Sequence, residues 1–342
     1  MKDLPTFSSP GDFKTRLSDT EFWSPYVLDV LRRHNLACAV DDIVAGVGGT
    51  FPTFLVGKMV VKFFGYLSWW QSSFRTEHAA HTLLASDARV KAPVVLAEGT
   101  LAGDEVVPES EPESASGSGS GPGSNSESES RSLSPWSYVI YTRMPGLAWG
   151  YLDLCREQKL RIAHALGEQV ARVHALKATK EIEAVSGWAP SDVVAACRHS
   201  SLAPHLAEQI VEYLDKLAPF DNVFQNGDIM HRHVFVEDGV YSGIIDWGDA
   251  IVTDRHYDLA KIHLDLFDCD KELLREFLAA SNWPVGNDQS QFCRQALGLA
   301  LCRQCHGMAN HQSMDVFHRL PSHLDQNKFD SLDELAQALF SL

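Results

Sequence analysis

The chain has 342 residues, with 29 Lys and Arg against 45 Asp and Glu, a formal charge of −16, and 45% hydrophobic and 10% aromatic residues. That apolar content excludes a disordered chain, because burying it can offset chain entropy, and the length favours a two-lobed architecture over one core. The acidity excludes nonspecific nucleic-acid binding, which needs clustered Lys and Arg on phosphates, but permits a cationic partner.

No apolar run reaches the roughly 18 to 20 residues that span a bilayer, and the opening Met1-Lys-Asp-Leu-Pro carries no apolar leader. An intracellular, cytoplasmic protein without membrane contact is therefore expected. Seven cysteines, odd in number and scattered among apolar residues, read as reduced thiols.

In chain order, a helix is predicted over 21–35. Three β-like runs follow at 42–47, 52–56 and 59–64, joined by Gly48-Gly49 and by the tight pair Gly57-Lys58. A helix over 73–85 comes next. Residues 109–134 contain 11 Ser and 5 Glu with Gly and Pro and no large apolar residue before Leu133. This segment is expected as a solvated insertion between the strand-like runs at 93–97 and 138–141. Beyond Pro145 the pattern turns helical, with Ala163, Leu166, Val170 and Val173 on one face of a helix over 158–177. Strand runs at 233–236 and 241–245 flank Glu237-Asp238-Gly239, a hairpin signal, and helices resume from about 257, including 292–308. The fold class predicted is α+β: a small antiparallel sheet lobe over 1–143 and a larger, mainly helical lobe over 144–342.

The chemistry concentrates in Asn226-Gly-Asp-Ile-Met-His-Arg-His-Val-Phe-Val and Gly243-Ile-Ile-Asp-Trp-Gly-Asp. Asp228 precedes the hairpin and Asp246 ends its second strand, so folding can bring the two carboxylates to one cleft. Phosphoryl transfer from ATP needs such a pair, one to position an attacking hydroxyl and take its proton, the other to hold Mg²⁺ against phosphates. The first lobe supplies complementary groups. Gly46, Gly48 and Gly49 lie between strands, where bare backbone N–H groups can approach phosphate, although hairpin turns use glycine routinely. Lys62 sits in the apolar run Val60-Val-Lys-Phe-Phe, where its charge either meets an anion or snorkels out. Glu77, on the next helix, is either its partner or a solvated residue.

With the Gly-Asp loop, the Ile-Ile-Asp-Trp-Gly-Asp strand end and Asp254-Arg-His-Tyr-Asp-Leu-Ala, the chain resembles the aminoglycoside phosphotransferase (choline kinase related) family, which has the protein-kinase-like fold. Gly48-Gly49, Lys62, Glu77, Tyr141-Thr-Arg-Met-Pro-Gly and Val170-Ala-Arg-Val-His-Ala-Leu follow in the family's order. The resemblance implies Asp228 as catalytic base, Asp246 as principal Mg²⁺ ligand, Lys62 on the phosphates with Glu77 as partner, and backbone groups from Ile140 to Arg143 at adenine. It also implies a small-molecule hydroxyl acceptor. Two positions depart from the pattern: Asn226 stands for the usual leading His, and His233 for the usual metal-binding Asn. Imidazole suits Mn²⁺ or Zn²⁺ better than Mg²⁺, so His233 is a candidate metal ligand, phosphate contact or water-mediated group. A catalytically impaired nucleotide-binding module is the alternative that these departures raise. A protein kinase is disfavoured, because only seven residues separate Asp246 from Asp254.

Other signals have simpler readings. Asp254 and Asp258 are expected to brace the catalytic loop, and Asp249 to approach the metal or brace the core. Cys302-Arg-Gln-Cys305-His306 matches a haem-attachment pattern but lies in an apolar helical run, which favours core thiols. Asp265, Asp268, Asp270 and Glu272 would either favour an amine-bearing acceptor or cap and solvate a helix.

Overall fold

The computed structural model describes residues 3–36, 39–101, 136–286, 288–309 and 315–342. The insertion expected over 109–134 lies outside these described residues, as does Cys38. By internal contacts the chain divides into two compact units, Met1–Trp70 with Val95–Tyr141, and Gln71–Val94 with Thr142–Leu342.

The first unit begins with helices α1 (Pro10–Arg16) and α2 (Thr20–Arg33), followed by β1 (Ile43–Ala45), β2 (Thr53–Val56), β3 (Met59–Phe64), β4 (Val95–Thr100) and β5 (Ser137–Thr142). The strands form one sheet in the order β1-β2-β3-β5-β4. Its strands sit where the β-like runs predicted them. The β2–β3 hairpin closes on Val56 opposite Met59, with Gly57 at φ +58 taking the left-handed position that a side chain would resist. Helix α2 starts at Asp19, whose carboxylate accepts the Phe22 N–H at 3.0 Å. Its buried face, Trp23, Val27, Val30 and Leu31, shares one core with Phe54, Val56, Val61, Phe63 and Ile140 from the sheet.

The second unit contains α3 (Trp70–Leu84, from Gln71 on), β6 (Leu147–Ala148), α4 (Arg156–His174), α5 (Pro190–Cys197), α6 (Pro204–Ala207), α7 (Ile210–Leu214), β7 (Val223–Gln225), β8 (Val234–Glu237), β9 (Val240–Ile244), β10 (Ile251–Thr253), α8 (His256–Lys261), α9 (Lys271–Ala280), α10 (Gln289–Ala309) and α11 (Leu332–Phe340). Helix α4 packs on α9, and Gly167 permits the close approach, since a Cβ there would lie 2.4 Å from the Phe277 carbonyl oxygen. Helix α10 packs on α5, α8 and α11 and is buried on all sides from Ala296 to Leu301. Two small sheets, β6-β8-β9 and the antiparallel pair β10-β7, carry the loops between them.

One grouping differs from the sequence expectation. Residues 71–94, expected in the first lobe, belong to the second unit, because Ala79, Ala80 and Leu84 of α3 enter the helical core with Leu166, Val170 and Trp247. Among the described residues no helix is long and apolar enough to cross a membrane.

Candidate active site

Strand β7 runs directly into the Asn226–His233 loop, and its pairing with β10 sets Gln225 opposite Ile251. The loop leaving β7 therefore lies beside the loop entering β10. Gly227 fixes how closely they approach: its φ is +85, and a Cβ would lie 2.0 Å from the Asp249 carbonyl oxygen. Only glycine fits there. Asn226 ties the loops together, donating Nδ2–H to the Asp246 carbonyl at 2.9 Å and accepting the Asp228 N–H on Oδ1 at 3.0 Å.

Beneath the loop, the Asp258 carboxylate accepts the N–H groups of Asn226 at 3.2 Å and Gly227 at 2.8 Å. Gln225 accepts the Asp258 N–H at 3.0 Å and donates to the carbonyls of Thr253 and Asp254. Asp254 in turn holds the ring and N–H of His256. Asp258 thus braces the loop directly, whereas the Asp254 carboxylate holds the start of α8 and Gln295 of α10 and does not touch the loop. Burial pushes the Asp258 carboxyl up to about 7, against the opposing pull of Arg303 and the two N–H donors.

The β8–β9 hairpin carries the chain from His233 to Asp246, with the Ile245 N–H donating to the His233 carbonyl at 3.0 Å. Asp246 takes φ +60, a left-handed backbone conformation tolerated by Asp at a cost of about 1 kcal/mol or more. It turns the carboxylate back toward the 226–233 loop.

Asp228 is 7% exposed and sits among three cationic or titratable partners. Its Oδ1 accepts from Arg303 Nη2 at 2.7 Å and lies 3.6 Å from Lys261 Nζ. Arg303, on α10, has no exposure at all; it also donates Nη1–H to the Gly227 carbonyl and lies 4.9 Å from the Tyr257 ring centroid. Burial works against its charge, but Tyr257, Asp228 and Asp258 outweigh that and hold its pKa above the ordinary value. Burial pulls the Lys261 ammonium down, with Asp228 the leading opposing influence. The other carboxylate oxygen, Oδ2, faces His233 Nδ1 at 3.6 Å.

His233 links the two aspartates. Its Nδ1 is 2.7 Å from the Asp228 carbonyl oxygen, which can only accept, so in the neutral ring Nδ1 carries the proton and Nε2 is a bare lone pair. Nε2 lies 3.6 Å from Asp246 Oδ2. Two acceptors facing one another at that separation fit a cation held between them. Glu77, 2% exposed on α3, lies at the same turn: a Cβ at Gly248 would be 3.3 Å from Glu77 Oε2 and 3.8 Å from Asp246 Oδ1. Among the described residues no three His, Cys, Asp or Glu side chains alone form a metal cluster.

Residues 44–287, well over half the chain, match the phosphotransferase enzyme family APH. The chain belongs to this family. Among solved structures it is similar to the macrolide 2'-phosphotransferase MphH from Brachybacterium faecium, at 18% identity and TM-score 0.56 over 94% of this chain and 99% of that one. It is also similar to wild-type aminoglycoside 2'-phosphotransferase-IIIa in its GDP complex (15% identity, TM-score 0.62, 94% of this chain and 97% of that one). A third is ADP-bound aminoglycoside phosphotransferase APH(2'')-Ib, at 13% identity, TM-score 0.54, 92% and 97%. The α+β, protein-kinase-like fold and the phosphotransferase class expected from the sequence are those of this family.

Of the residues the motifs singled out, the second unit of this phosphotransferase brings together Asp228, His233, Asp246 and Glu77. Gly46, Gly48, Gly49, Lys62 and Ile140 belong to the first unit. There Gly46 donates its N–H to the Thr53 carbonyl at 2.7 Å, and Gly48 and Gly49 take φ +72 and +113 between β1 and β2. Lys62, half-buried opposite Thr53, holds its ammonium 5.2 Å from the Phe64 ring centroid and 6.0 Å from that of Phe51. Ile140 is wholly buried in β5, opposite Ala97, and the exposed Arg143 follows that strand in the second unit.

The acidic run is largely committed. Asp270 caps α9 through the N–H groups of Glu272 and Leu273, and both Asp270 and Glu272 pair with Arg156. Asp265 accepts from the His231 backbone and from Arg319. Cys302 is buried in α10, and burial pushes the half-buried Cys305 thiol up to about 11, as core thiols require; the His306 side chain lies outside the described residues. Sequence reasoning attended to those thiols and missed Arg303 between them, whose signal was a charge in an apolar helix.

Proposed function

We propose that this family member is an ATP-dependent kinase for a hydroxyl of a small molecule. The observation that carries the reading is the His233 ring set between two carboxylates, 3.6 Å from Asp228 Oδ2 and 3.6 Å from Asp246 Oδ2, on loops that Gly227 and Asn226 lock together. Asp246 and His233 would hold a divalent cation, which when bound offsets charge on the phosphate oxygens.

The acceptor hydroxyl is oriented by Asp228 Oδ2, the oxygen not taken by Arg303. Its oxygen attacks the γ-phosphorus, the bond from phosphorus to the bridging oxygen breaks, ADP leaves, and the hydroxyl proton passes to Asp228. By resemblance, Lys62 and the N–H groups at Gly46, Gly48 and Gly49 would serve the phosphates, and Ile140 to Arg143 would serve adenine. The similar structures with GDP and ADP bound support a nucleotide donor, and the similarity to aminoglycoside and macrolide phosphotransferases supports a hydroxylated small molecule as acceptor.

The test is product detection by mass spectrometry after incubation with ATP or GTP, with Mg²⁺ or Mn²⁺, against a panel of amine-bearing and amine-free alcohols. A product heavier by one phosphoryl group, lost in Asp228→Ala while nucleotide binding persists, is expected. Nucleotide binding without consumption across the panel and both metals would instead identify a binding module.

A further inference from the structure

Arg303 is spent on the catalytic loop in a way that bracing alone does not require. Burying a guanidinium completely costs several kcal/mol unless each face finds a partner. A bracing arginine could satisfy itself on main-chain carbonyls, as Nη1 does on Gly227. Nη2 instead takes one specific oxygen, Asp228 Oδ1, at 2.7 Å, while Tyr257 covers the guanidinium face. Lys261 Nζ flanks the same oxygen at 3.6 Å. The carboxylate is thereby divided: Oδ1 is bound on the α8 and α10 side, and Oδ2 is left toward His233.

We infer that Arg303 is a positioning residue for phosphoryl transfer, fixing the Asp228 carboxylate plane so that Oδ2 alone meets the acceptor hydroxyl, with Lys261 in support. The inference rests on the kinase reading given above. Such a clamp suits this chemistry. Neutralising half the carboxylate weakens it as a base, but a loose, metaphosphate-like transition state asks more of orientation than of basicity, and misplacement by about 1 Å can cost about 10²-fold in rate. Carbonyl and carboxylate are contacted by the two ends of one planar fork, which Lys cannot reproduce.

The experiment compares Arg303→Met, Arg303→Lys and Asp228→Asn, alone and combined, in the full chain. Arg303→Met should lower kcat by about 10²-fold with KM for ATP within about twofold, and Arg303→Lys should fall between it and the wild type. In the Asp228→Asn background, Arg303→Met should remove no further turnover, because it acts through that carboxylate; a merely structural arginine would still lower it. Arg303→Lys carries the test if Arg303→Met does not fold. A kcat within twofold of wild type in Arg303→Lys and Arg303→Met, or additive losses in the double variant, overturns the inference. Should the wild type transfer no phosphoryl group at all, the kinase reading fails by itself. Whether Arg303 fixes the Asp228 carboxylate plane is then decided by crystal structures of Arg303→Lys: a rotated Asp228 carboxylate supports the clamp, and an unmoved one rejects it.

Discussion

Strand β3 and helix α10 each carry one cation in an apolar run of sequence, and the two differ in how far they are buried. Lys62 is half-buried, with its stem along the sheet and its ammonium near the Phe51 and Phe64 rings. Arg303 is wholly buried, with its charge matched to Asp228 and a carbonyl. A strand alternates its faces, so a charge between Val61 and Phe63 must point away from the apolar core they enter, and its direction follows from sequence. A helix buried on every side offers no such rule. Its charge can face any neighbour, and only folding reveals that the neighbour is Asp228.

The largest effect that would sharpen this contrast is chemical. Asp228→Asn leaves Arg303 its shape partner but removes the carboxylate, and turnover should fall at least about 10³-fold with ATP affinity by calorimetry within about twofold. Next comes stability. Arg303→Met strands a buried carboxylate beside Lys261 and should cost about 3 to 5 kcal/mol in urea unfolding. A third measurement concerns a buried titratable ring. His263 donates Nε2–H to the Leu339 carbonyl at 2.7 Å, its Nδ1 has no hydrogen-bond partner among the described residues, and burial holds its pKa down at about 4 against an ordinary 6.5. The unfolded chain therefore takes up this proton first as pH falls. Its contribution is present above 6.5 and lost on the way down through 4, about 3 kcal/mol in all. His263→Gln should flatten that slope in unfolding curves recorded from pH 7 to 4. The smallest structural effect belongs to Lys62→Met, within about 1 kcal/mol, with its consequence appearing as a rise of about tenfold in KM for ATP. Equal destabilisation by Lys62→Met and Arg303→Met would break the comparison.

Much of the arrangement was readable in the sequence because local rules sufficed. The tight pair Gly57-Lys58, the 233–245 hairpin and the apolar face of α4 are set by turn chemistry and periodicity, and each lies within a few residues of its expected place. Asp228 and Asp246 were legible because a hairpin must return the chain near its start. What escaped was non-local. The β7–β10 pair joins strands of three residues each, too short to leave a periodic mark, and its partners are separated by the intervening hairpin. The grouping of α3 with the helical unit depends on Ala79 and Ala80, whose small side chains carry little pattern. The acidic run at 265–272 looked available for an amine until Arg156, over a hundred residues earlier, was seen to claim two of its members.

The division of the chain has a practical corollary for anyone dissecting the enzyme. Because the polypeptide passes between its two units at 70–71, 94–95 and 141–142, no single cut liberates either one. A fragment ending near residue 141 would carry α3 away from the helical core it completes, and one beginning there would lack it. Expression of the sheet unit alone calls for a linker from Trp70 to Val95, and the excised stretch must be supplied to the helical unit as a separate peptide or fused to its start.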